Sequence, residues 1–574
     1  MTDTPRSAAT ADSRVDVDLL VVGSGGAGLT AALTAAASGL DTLVVEKAGY
    51  VGGTTTLSGG AIWAPNAPAL VAAGQAAAPE DVVTYLRAVT SGEVADDRLQ
   101  AFVDATPEMM ALLERSPHVS FEWCSGYPDY YPHYPHGSAV GRSVEATPLD
   151  RRTLGDRSPL LREPALRTPR GMWMRAVDLH DLVALRRSLR GKRMMARMLW
   201  RAATSWLTRR QVVTRGEALV GRLLLALDDA QVPLWLDAPM TRLMTEGDAV
   251  VGAVVVRGDE VVEIRARHGV VIASGGFDHD PALRAAHQPF LVDHVSAGAP
   301  ENTGDGITAG TAVGGATDLM DEAWWMPTIT WPEKKLGLLL VERQIAAQLT
   351  VDHGGRRFTN EAAPYTDFVR ALIDAGCTRE RPAWLVIDSR AWRSNLFGTH
   401  LPLPRVPAPV ETGRRVPQAW LDSGAVRTGS TWAELAAATG LDPATLQESA
   451  ERFNRLAADG RDTDFHRGEN AYDNYYGDHR LPNPNLRPLT EAPFYAFAVA
   501  PSDLGTKGGL VTDAHGRVLR DDGSVVPGLY AAGNASASVM GRSYPGPGGT
   551  IAPAMTFGYL AARHAAQNAD GQRG

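Results

Sequence analysis

The clearest hydrophobic pattern in the chain is an apolar run near its start that ends in closely spaced glycines. Residues 17–22 are apolar apart from one aspartate, which is typical of a buried strand. Gly23, Gly25 and Gly28 follow, and residues 29–38 are small and mostly apolar, which predicts a tight turn that leads into a helix. The pattern therefore predicts the strand–turn–helix unit that begins a parallel α/β sheet.

The three glycines have the GxGxxG spacing of a dinucleotide-binding turn. One glycine permits the bend, one lets the backbone approach a pyrophosphate, and one allows close packing of the helix on the strand. A second apolar run, residues 42–45, ends in Glu46, which lies 18 residues after Gly28. A carboxylate at this distance commonly binds ribose hydroxyls, and the positive end of the helix attracts the phosphates. The combination predicts a dinucleotide site.

The same pattern returns twice, far along the chain. Residues 269–276 and residues 528–533 each form an apolar run that ends in glycine. A loop of glycine, threonine and serine at residues 52–60 can approach a flat cofactor closely and donate hydrogen bonds to it. These features extend the site past an ADP moiety, which favours FAD over NAD.

These repeated apolar runs that end in glycine predict an α/β fold, with a discontinuous, Rossmann-like FAD-binding domain and an inserted catalytic domain of the α+β class. We expect a disordered tail at residues 1–16 and the first part of the FAD-binding domain at 17–300. The catalytic domain is expected at 301–495, and the C-terminal part of the FAD-binding domain at 496–574. A basic, amphipathic insertion is expected at 171–216.

The residues expected to contact the cofactor are glycines, hydroxyl side chains and a few polar groups. They are Gly23, Gly25, Gly26, Gly28, Glu46, Lys47, Gly53, Thr54, Thr55, Ser58, Gly59, Gly60, Gly275, Gly533, Asn534 and Ile551.

Composition narrows the classes of function. The 574 residues carry a formal net charge of −9, so no basic excess suggests a nucleic acid partner. Cys124 and Cys377 cannot form a disulfide framework, which favours a cytoplasmic location, and no His/Cys cluster has the spacing of a metal site. Residues 19–40 are uncharged, but their glycines fit the strand–turn–helix unit better than a membrane span.

One segment departs from this acidic balance. Residues 185–215 contain ten basic residues and no acidic one, interleaved with leucine, methionine and tryptophan. Such a segment suits a helix that lies in an anionic membrane interface. A solvated helix packed on the protein body and an oligomer contact are the alternatives. The expected location is therefore the cytoplasm, with association at the inner face of the cell membrane through this segment.

Several motifs together give the chain a family resemblance. They are Gly52-Gly53-Thr54-Thr55, Pro128-Asp129-Tyr130-Tyr131, Phe358-Thr359-Asn360-Glu361 with Pro364-Tyr365, Asp503 through Gly509, and Tyr544 through Gly548. On these motifs the chain resembles the 3-ketosteroid Δ1-dehydrogenases of the fumarate reductase/succinate dehydrogenase group of FAD proteins. The main departure is the insertion at 171–216, which shorter soluble members lack and longer, membrane-associated members carry thereabouts.

The resemblance implies a reaction and four catalytic positions. Tyr365 matches the general base that removes a proton from C2, and Tyr130 matches the tyrosine that hydrogen-bonds to it. Tyr544 and the backbone N–H of Gly548 match the pair that holds the C3 oxygen, while a hydride passes from C1 to flavin N5. Because a free phenol has a pKa of about 10, the hydrogen bond from Tyr130 is expected to lower the pKa of the base.

The resemblance also implies the cofactor and partners. Members that bind flavin covalently use a histidine in the neighbourhood of residues 40–80, and this chain has none there, so we expect non-covalent FAD. The expected partners are a 3-ketosteroid and an external electron acceptor, with a quinone as one candidate. A 3-ketosteroid Δ4-dehydrogenase, a fumarate reductase-like enzyme with Arg and His around its substrate, and a membrane-docked flavoprotein without catalytic competence are the alternatives.

Overall fold

The computed structural model describes residues 13–164, 171–185, 188–291, 295–330, 337–398, 400, 413 and 415–573. Residues 1–12 of the expected tail lie outside these ranges. Strand Ser13–Val17 pairs in parallel with Glu260–Ala266, so Val15 and Val17 lie opposite Ile264 and Ala266. The expectation of a disordered tail is therefore wrong for residues 13–16, because they complete the edge of a sheet.

A six-stranded sheet is assembled from three distant parts of the chain. Its strand order is Arg517–Leu519, Val525–Ala531, Val270–Ile272, Leu19–Val22, Thr42–Val45 and Leu234–Trp235. All neighbours are parallel except the first pair. The central strands are buried apolar runs, as expected for a parallel sheet covered on both faces. The sheet therefore brings all three strand–glycine turns to its carboxyl edge.

Helices from both ends of the chain cover this sheet. The helix after the glycine turn, Gly26–Ala37, packs against the C-terminal helix, Ile551–Arg573. Both are rich in small residues, which lets their backbones approach closely. The other helices on this part of the protein are Gly53–Leu57, Pro68–Ala72, Pro79–Val89, Asp96–Leu113, Arg215–Asp229, Pro281–His287 and Asp305–Ala312, with a 3₁₀ turn at Gly533–Ala535.

Smaller sheets extend the same body. A four-stranded sheet has the order Ser13–Val17, Glu260–Ala266, Ala249–Arg257 and Met240–Glu246, and a three-stranded sheet has the order Ala61–Trp63, Ser143–Ala146 and Phe121–Trp123. Two-stranded pairs join Thr317–Asp318 to Gly509–Leu510, Ala323–Trp325 to Asp503–Thr506, and Leu149–Asp150 to Val212–Val213. A 3₁₀ segment, Arg151–Leu160, follows the strand Leu149–Asp150 and is interrupted at Gly155.

An antiparallel sheet with its own core occupies the middle of the chain. Its strands are Thr328–Ile329, Phe494–Ala500, Ala383–Asp388 and Gln348–Val351, and Val426–Gly429 also pairs with Phe494–Ala500. The predicted boundary at residue 495 falls inside one of these strands, so the sheet continues to Ala500. Its helices are Tyr365–Asp374, Ser389–Ser394, Gln418–Asp422, Trp432–Thr439, Pro443–Asp459 and Ala471–Asn474, with a 3₁₀ turn at Glu342–Gln344.

The basic insertion forms a short helix, Asp178–Val183, and a long one, Leu189–Thr208, which we call the basic helix. Met194 and Met198 on its inner side are buried against Leu182 of the short helix. Its other side is exposed to solvent. Within the ranges given above, no helix is both long enough and apolar enough to cross a bilayer.

Candidate active site

One continuous cavity of ≈ 1470 Å³ runs from the carboxyl edge of the parallel sheet to a group of buried tyrosines. Its walls include the glycine turn, the hydroxyl-rich loop at residues 52–60, and the loop before the C-terminal helix. The methionines of the basic insertion complete another part of the wall. The arrangement joins a place for a dinucleotide to a place for an apolar substrate.

The glycine turn has the shape that a pyrophosphate cradle requires. Gly23 has a φ of 107°, and a Cβ there would collide with the carbonyl oxygen of Ala273 on the neighbouring strand. A Cβ on Gly25 would have no neighbour closer than 3.7 Å, so the backbone there is open towards the cavity. Gly28 lies outside the cavity lining, since its Cα packs on the carbonyl of Gly23. Gly28 thus serves helix packing.

Glu46 is held at the end of its strand. One carboxylate oxygen accepts hydrogen bonds from the N–H and the hydroxyl of Ser24, at 2.9 and 2.7 Å, and the other accepts from the N–H of Ala48 at 2.9 Å. Glu46 also lines the cavity. Lys47 lines it too, with its Nζ 2.6 Å from both Thr303 Oγ1 and Asp305 Oδ2.

The hydroxyl-rich loop is fixed by bonds to the surrounding backbone. Gly26 N–H donates to Thr55 Oγ1 at 3.0 Å, and Ala299 N–H donates to Thr54 Oγ1 at 3.0 Å. All the expected cofactor residues except Gly28 line the cavity, including Ile551 at the start of the C-terminal helix. An open glycine backbone, a fixed carboxylate and two helix N-termini are the features that fit FAD.

Three tyrosines from distant segments meet at the far side of the cavity. Tyr130 O–H donates to the hydroxyl oxygen of Tyr365 at 3.1 Å. The ring centroids lie 5.3 Å apart for Tyr130 and Tyr365, 5.2 Å for Tyr130 and Tyr544, and 5.3 Å for Tyr365 and Tyr544. Tyr365 is the first residue of its helix, directly after Pro364, so the helix start fixes its direction. The three phenols therefore form one contiguous group.

Burial decides the proton affinity of this group. It raises the pKa of Tyr365 well above its ordinary value, and the hydrogen bond from Tyr130 acts in the opposite direction but does not offset it. Burial likewise raises the pKa of Tyr130 and of Tyr544. The hydrogen bond from Tyr130 thus lowers the pKa of Tyr365 as predicted, but the increase caused by removal from water is larger. Tyr365 is a neutral phenol at neutral pH.

A backbone donor lies beside the tyrosines. Gly548 has a φ of 88°, and a Cβ there would collide with the carbonyl of Ala61. Among the described residues its N–H has no acceptor, and the residue lines the cavity. Tyr544 has its hydroxyl oxygen engaged by Thr550 Oγ1, which donates at 2.8 Å, so the Tyr544 proton is free for another acceptor. The pair can hold an oxyanion.

The neighbours of Tyr130 have other partners, although Tyr127 also hydrogen-bonds to Tyr130 itself. Tyr131 O–H donates to Asp367 Oδ1 at 2.9 Å, and Tyr127 stacks on Tyr475 with centroids 4.6 Å apart. Tyr130 is therefore the tyrosine of its motif that reaches Tyr365.

Several residues of the site escaped the sequence analysis. Thr550 and Tyr476 carried no signal beyond their residue type, yet one bonds to Tyr544 and the other lines the cavity. The cavity wall also takes methionines from the basic insertion, namely Met172, Met174, Met195 and Met198. For Met195 and Met198, the alternation of basic and apolar residues in 185–215 indicates an apolar side of the helix but not the cavity that this side lines.

Comparisons with known proteins agree with this geometry. The model of the FAD binding domain family matches residues 18–551. A 3-oxosteroid 1-dehydrogenase of Mycobacterium tuberculosis is 43% identical over 574 residues, which cover 96% of this chain and 99% of that protein. The solved 3-ketosteroid Δ1-dehydrogenase of Sterolibacterium denitrificans, in complex with 1,4-androstadiene-3,17-dione, superposes with a TM-score of 0.88 at 36% identity and covers 96% of this chain and 100% of that one.

A second solved structure shares the fold alone. The 3-ketosteroid Δ4-(5α)-dehydrogenase of Rhodococcus jostii has a TM-score of 0.68 at 20% identity, covering 98% of this chain and 99% of that one.

Proposed function

The chain belongs to the FAD-binding family that includes the 3-oxosteroid 1-dehydrogenases, and we propose that it introduces the Δ1 double bond into 3-ketosteroids. The observation that carries the proposal is the group formed by Tyr130, Tyr365, Tyr544 and the N–H of Gly548 on the wall of the FAD cavity. Relatives with this name at 43% identity support it.

Each member of the group has a task in removing a proton next to a ketone. The C3 oxygen binds between the Tyr544 hydroxyl and the Gly548 N–H, because the negative charge that develops on it needs donors in a dry site. Tyr365, in its phenolate form, takes the proton from C2. Tyr130 stabilises that phenolate by donating to its oxygen at 3.1 Å. Bound FAD supplies the acceptor for the hydride from C1.

The cofactor is held without a covalent bond in this proposal. The N–H groups of Gly25 and the other cavity-lining glycines donate to the pyrophosphate, and Glu46 accepts hydrogen bonds from the ribose hydroxyls. The absence of histidine from residues 40–80 supports the proposal, since no imidazole is available there for a flavin linkage. Acid precipitation of the holoprotein should accordingly leave the yellow colour in the supernatant.

The proposed function is tested by anaerobic mixing of the holoprotein with two ketosteroids. Androst-4-ene-3,17-dione should bleach the flavin and yield the 1,4-diene. With 5α-androstane-3,17-dione, whose 4,5 bond is saturated, NMR should show a 1-ene product. A 4-ene product would instead identify a Δ4-dehydrogenase, and no flavin reduction by either steroid would refute the proposal. Fumarate serves as a control that should not reoxidise the reduced flavin.

We also propose that the basic helix docks on an anionic bilayer. Its outer side exposes Leu189, Trp200, Trp206 and Leu207 at 69, 71, 81 and 77%, and no acidic residue lies within residues 185–215. Apolar side chains beside basic ones match the interface of an anionic membrane, where the former enter the acyl boundary and the latter meet phosphate. A quinone dissolved in that bilayer is then the candidate electron acceptor.

A further inference from the structure

The donor proposed for the ketone oxygen shares a peptide group with a carbonyl that is itself hydrogen-bonded. The N–H of Gly548 and the C=O of Pro547 belong to one planar, trans peptide unit. Ser143 Oγ donates to that carbonyl oxygen at 2.6 Å, and the Ser143 side chain is completely buried. Ser143 thus bonds the opposite end of the peptide group whose N–H belongs to the cavity-lining Gly548 and has no acceptor among the described residues.

Two consequences follow from this geometry. Because the peptide group is planar, holding its carbonyl oxygen in place also fixes the direction of its N–H. A hydrogen bond accepted by the carbonyl polarises the peptide group, which makes the N–H a stronger donor in a low-dielectric site. We propose that Ser143 is a positioning residue that aims and polarises the Gly548 N–H for the substrate ketone; this inference rests on the proposed function.

Ser143 is itself well fixed. It begins the strand Ser143–Ala146, the middle strand of the three-stranded sheet, where it lies opposite Trp63. Its carbonyl accepts from the N–H of Cys124 at 2.9 Å. The neighbouring strand, Ala61–Trp63, supplies the carbonyl against which Gly548 packs. This sheet therefore holds both the hydroxyl and the loop that it bonds.

A second carbonyl of the same loop offers a matched control. Pro545 O accepts from Tyr85 O–H at 2.6 Å and from Tyr130 N–H at 3.0 Å. Loss of the Tyr85 hydroxyl removes a buried donor from this loop, as loss of the Ser143 hydroxyl does. The Pro545 carbonyl, however, belongs to a different peptide group from the Gly548 N–H and keeps a second donor. Tyr85→Phe therefore separates anchoring of the loop from polarisation of the donor.

The test uses the holoproteins of wild type, Ser143→Ala, Ser143→Thr and Tyr85→Phe. The probe is androsta-1,4-diene-3,17-dione, whose dienone absorption shifts to the red when its carbonyl is polarised. Ser143→Ala should shrink the red shift and slow anaerobic flavin reduction by about tenfold, less than the 10²–10³ that loss of a whole donor costs. Ser143→Thr should restore both quantities, and Tyr85→Phe should keep the wild-type red shift.

The outcomes are distinguishable. A wild-type red shift and rate in Ser143→Ala would overturn the inference, and so would equal losses of red shift in Ser143→Ala and Tyr85→Phe. If Ser143→Ala does not retain FAD, Ser143→Cys supplies a weaker donor of similar volume and should give an intermediate red shift. A wild type that binds the dienone but dehydrogenates no ketosteroid would refute the proposed function and leave the red shift as the test of Ser143. A wild type that does not bind the dienone would refute both.

Discussion

Tyr365 combines two properties that oppose each other. It lies buried beside Tyr130 and Tyr544, where the proposed enolate would be stabilised, yet the same burial raises its pKa well above the ordinary value of a phenol. A base in such a place depends on the hydrogen bonds that its phenolate accepts.

Replacing Tyr365 with phenylalanine should abolish most turnover while leaving the site intact. The substitution removes only the hydroxyl, so FAD and steroid binding should persist, and flavin reduction should slow by about 10²-fold or more. Stopped-flow absorbance with androst-4-ene-3,17-dione gives the rate, and equilibrium titration gives the affinity. A rate near that of wild type would exclude Tyr365 as the base.

The pH dependence of the reaction should reveal the same group. Because the pKa of Tyr365 is raised, its phenolate fraction grows with pH, so the rate of flavin reduction should climb from neutral pH without levelling off below about pH 10. Tyr130→Phe removes a hydrogen bond that lowers this pKa, which should move the rising limb to still higher pH. An unchanged limb in Tyr130→Phe would contradict the role of Tyr130.

A buried carboxyl outside the tyrosine group predicts a pH effect on stability. Glu145 accepts from the N–H of Ala176 at 2.8 Å, its other oxygen has no partner among the described residues, and burial raises its pKa to about 7. Between the ordinary pKa of a glutamate and about pH 7, the folded state therefore keeps this proton, whereas the unfolded state releases it. Stability from this group is full below that ordinary pKa and is lost as pH rises through about 7.

Glu145→Gln should remove this dependence. Its Tm should match that of wild type near pH 4 and exceed it near pH 8, where the wild type carries a penalty on the order of 3 kcal/mol. Thermal scans across this range provide the measurement. Glu93→Gln, at an exposed position, serves as the control that should follow the wild type throughout. A constant difference in Tm between Glu145→Gln and the wild type at all pH values would contradict the assignment.

Among the elements, the basic helix stands out because its two sides face different environments. Met194 and Met198 are buried inward, and Met195 and Met198 line the cavity, while the tryptophans point outward. The inner packing agrees with the alternative of a helix that rests on the protein body. The outer face still offers apolar area that nothing in the described chain covers. One helix thus both closes the cavity and provides the proposed membrane surface.

The outer face should be separable from the inner one. Trp200→Ser with Trp206→Ser should weaken flotation with vesicles of equal parts phosphatidylglycerol and phosphatidylcholine by about tenfold or more, since the two side chains together contribute over about 1.4 kcal/mol. Steroid turnover in detergent-free buffer should not change. Val71→Ser with Val140→Ser, exposed apolar residues elsewhere, is the matched control. Equal flotation of the two double variants would refute docking through this helix.

For the whole molecule, the decisive feature is a cofactor cavity shared by both ends of the chain. The strands Leu19–Val22 and Val525–Ala531 flank Val270–Ile272 in one sheet, and the first and last helices pack together. The FAD family and the α/β fold predicted from the sequence are confirmed by the family match and the Δ1-dehydrogenase structure. The division into residues 17–300, 301–495 and 496–574 stays a prediction.

Hydrogen exchange can test the shared cavity. Binding of FAD to the stripped protein should protect the segments around Gly23–Gly28 and Thr54–Gly60, and equally the segment around Gly533–Ile551. Strand Ala383–Asp388 of the antiparallel sheet lies outside the cavity lining and should not change. Protection confined to the N-terminal segments would show that the C-terminal part does not bind the cofactor.

The sequence by itself was enough to predict FAD and the α/β fold, because both follow from short local patterns. A glycine turn between a strand and a helix has one geometry wherever it occurs, so the spacing of Gly23, Gly25 and Glu46 predicts their place at the cofactor. Tyr365, Tyr130, Tyr544 and Gly548 required motifs of a known family, since no local rule distinguishes a catalytic tyrosine from a structural one.

Only the tertiary structure decided which groups meet and what surrounds them. Tyr130 and Tyr365 are 235 residues apart, and their hydrogen bond exists because the helix start at Tyr365 packs against the Tyr130 loop. The pKa of Tyr365 reflects burial, a property of the assembled protein that no residue type encodes. The contact of Ser143 with Pro547, and the methionines of the basic insertion on the cavity wall, likewise depend on packing between distant segments.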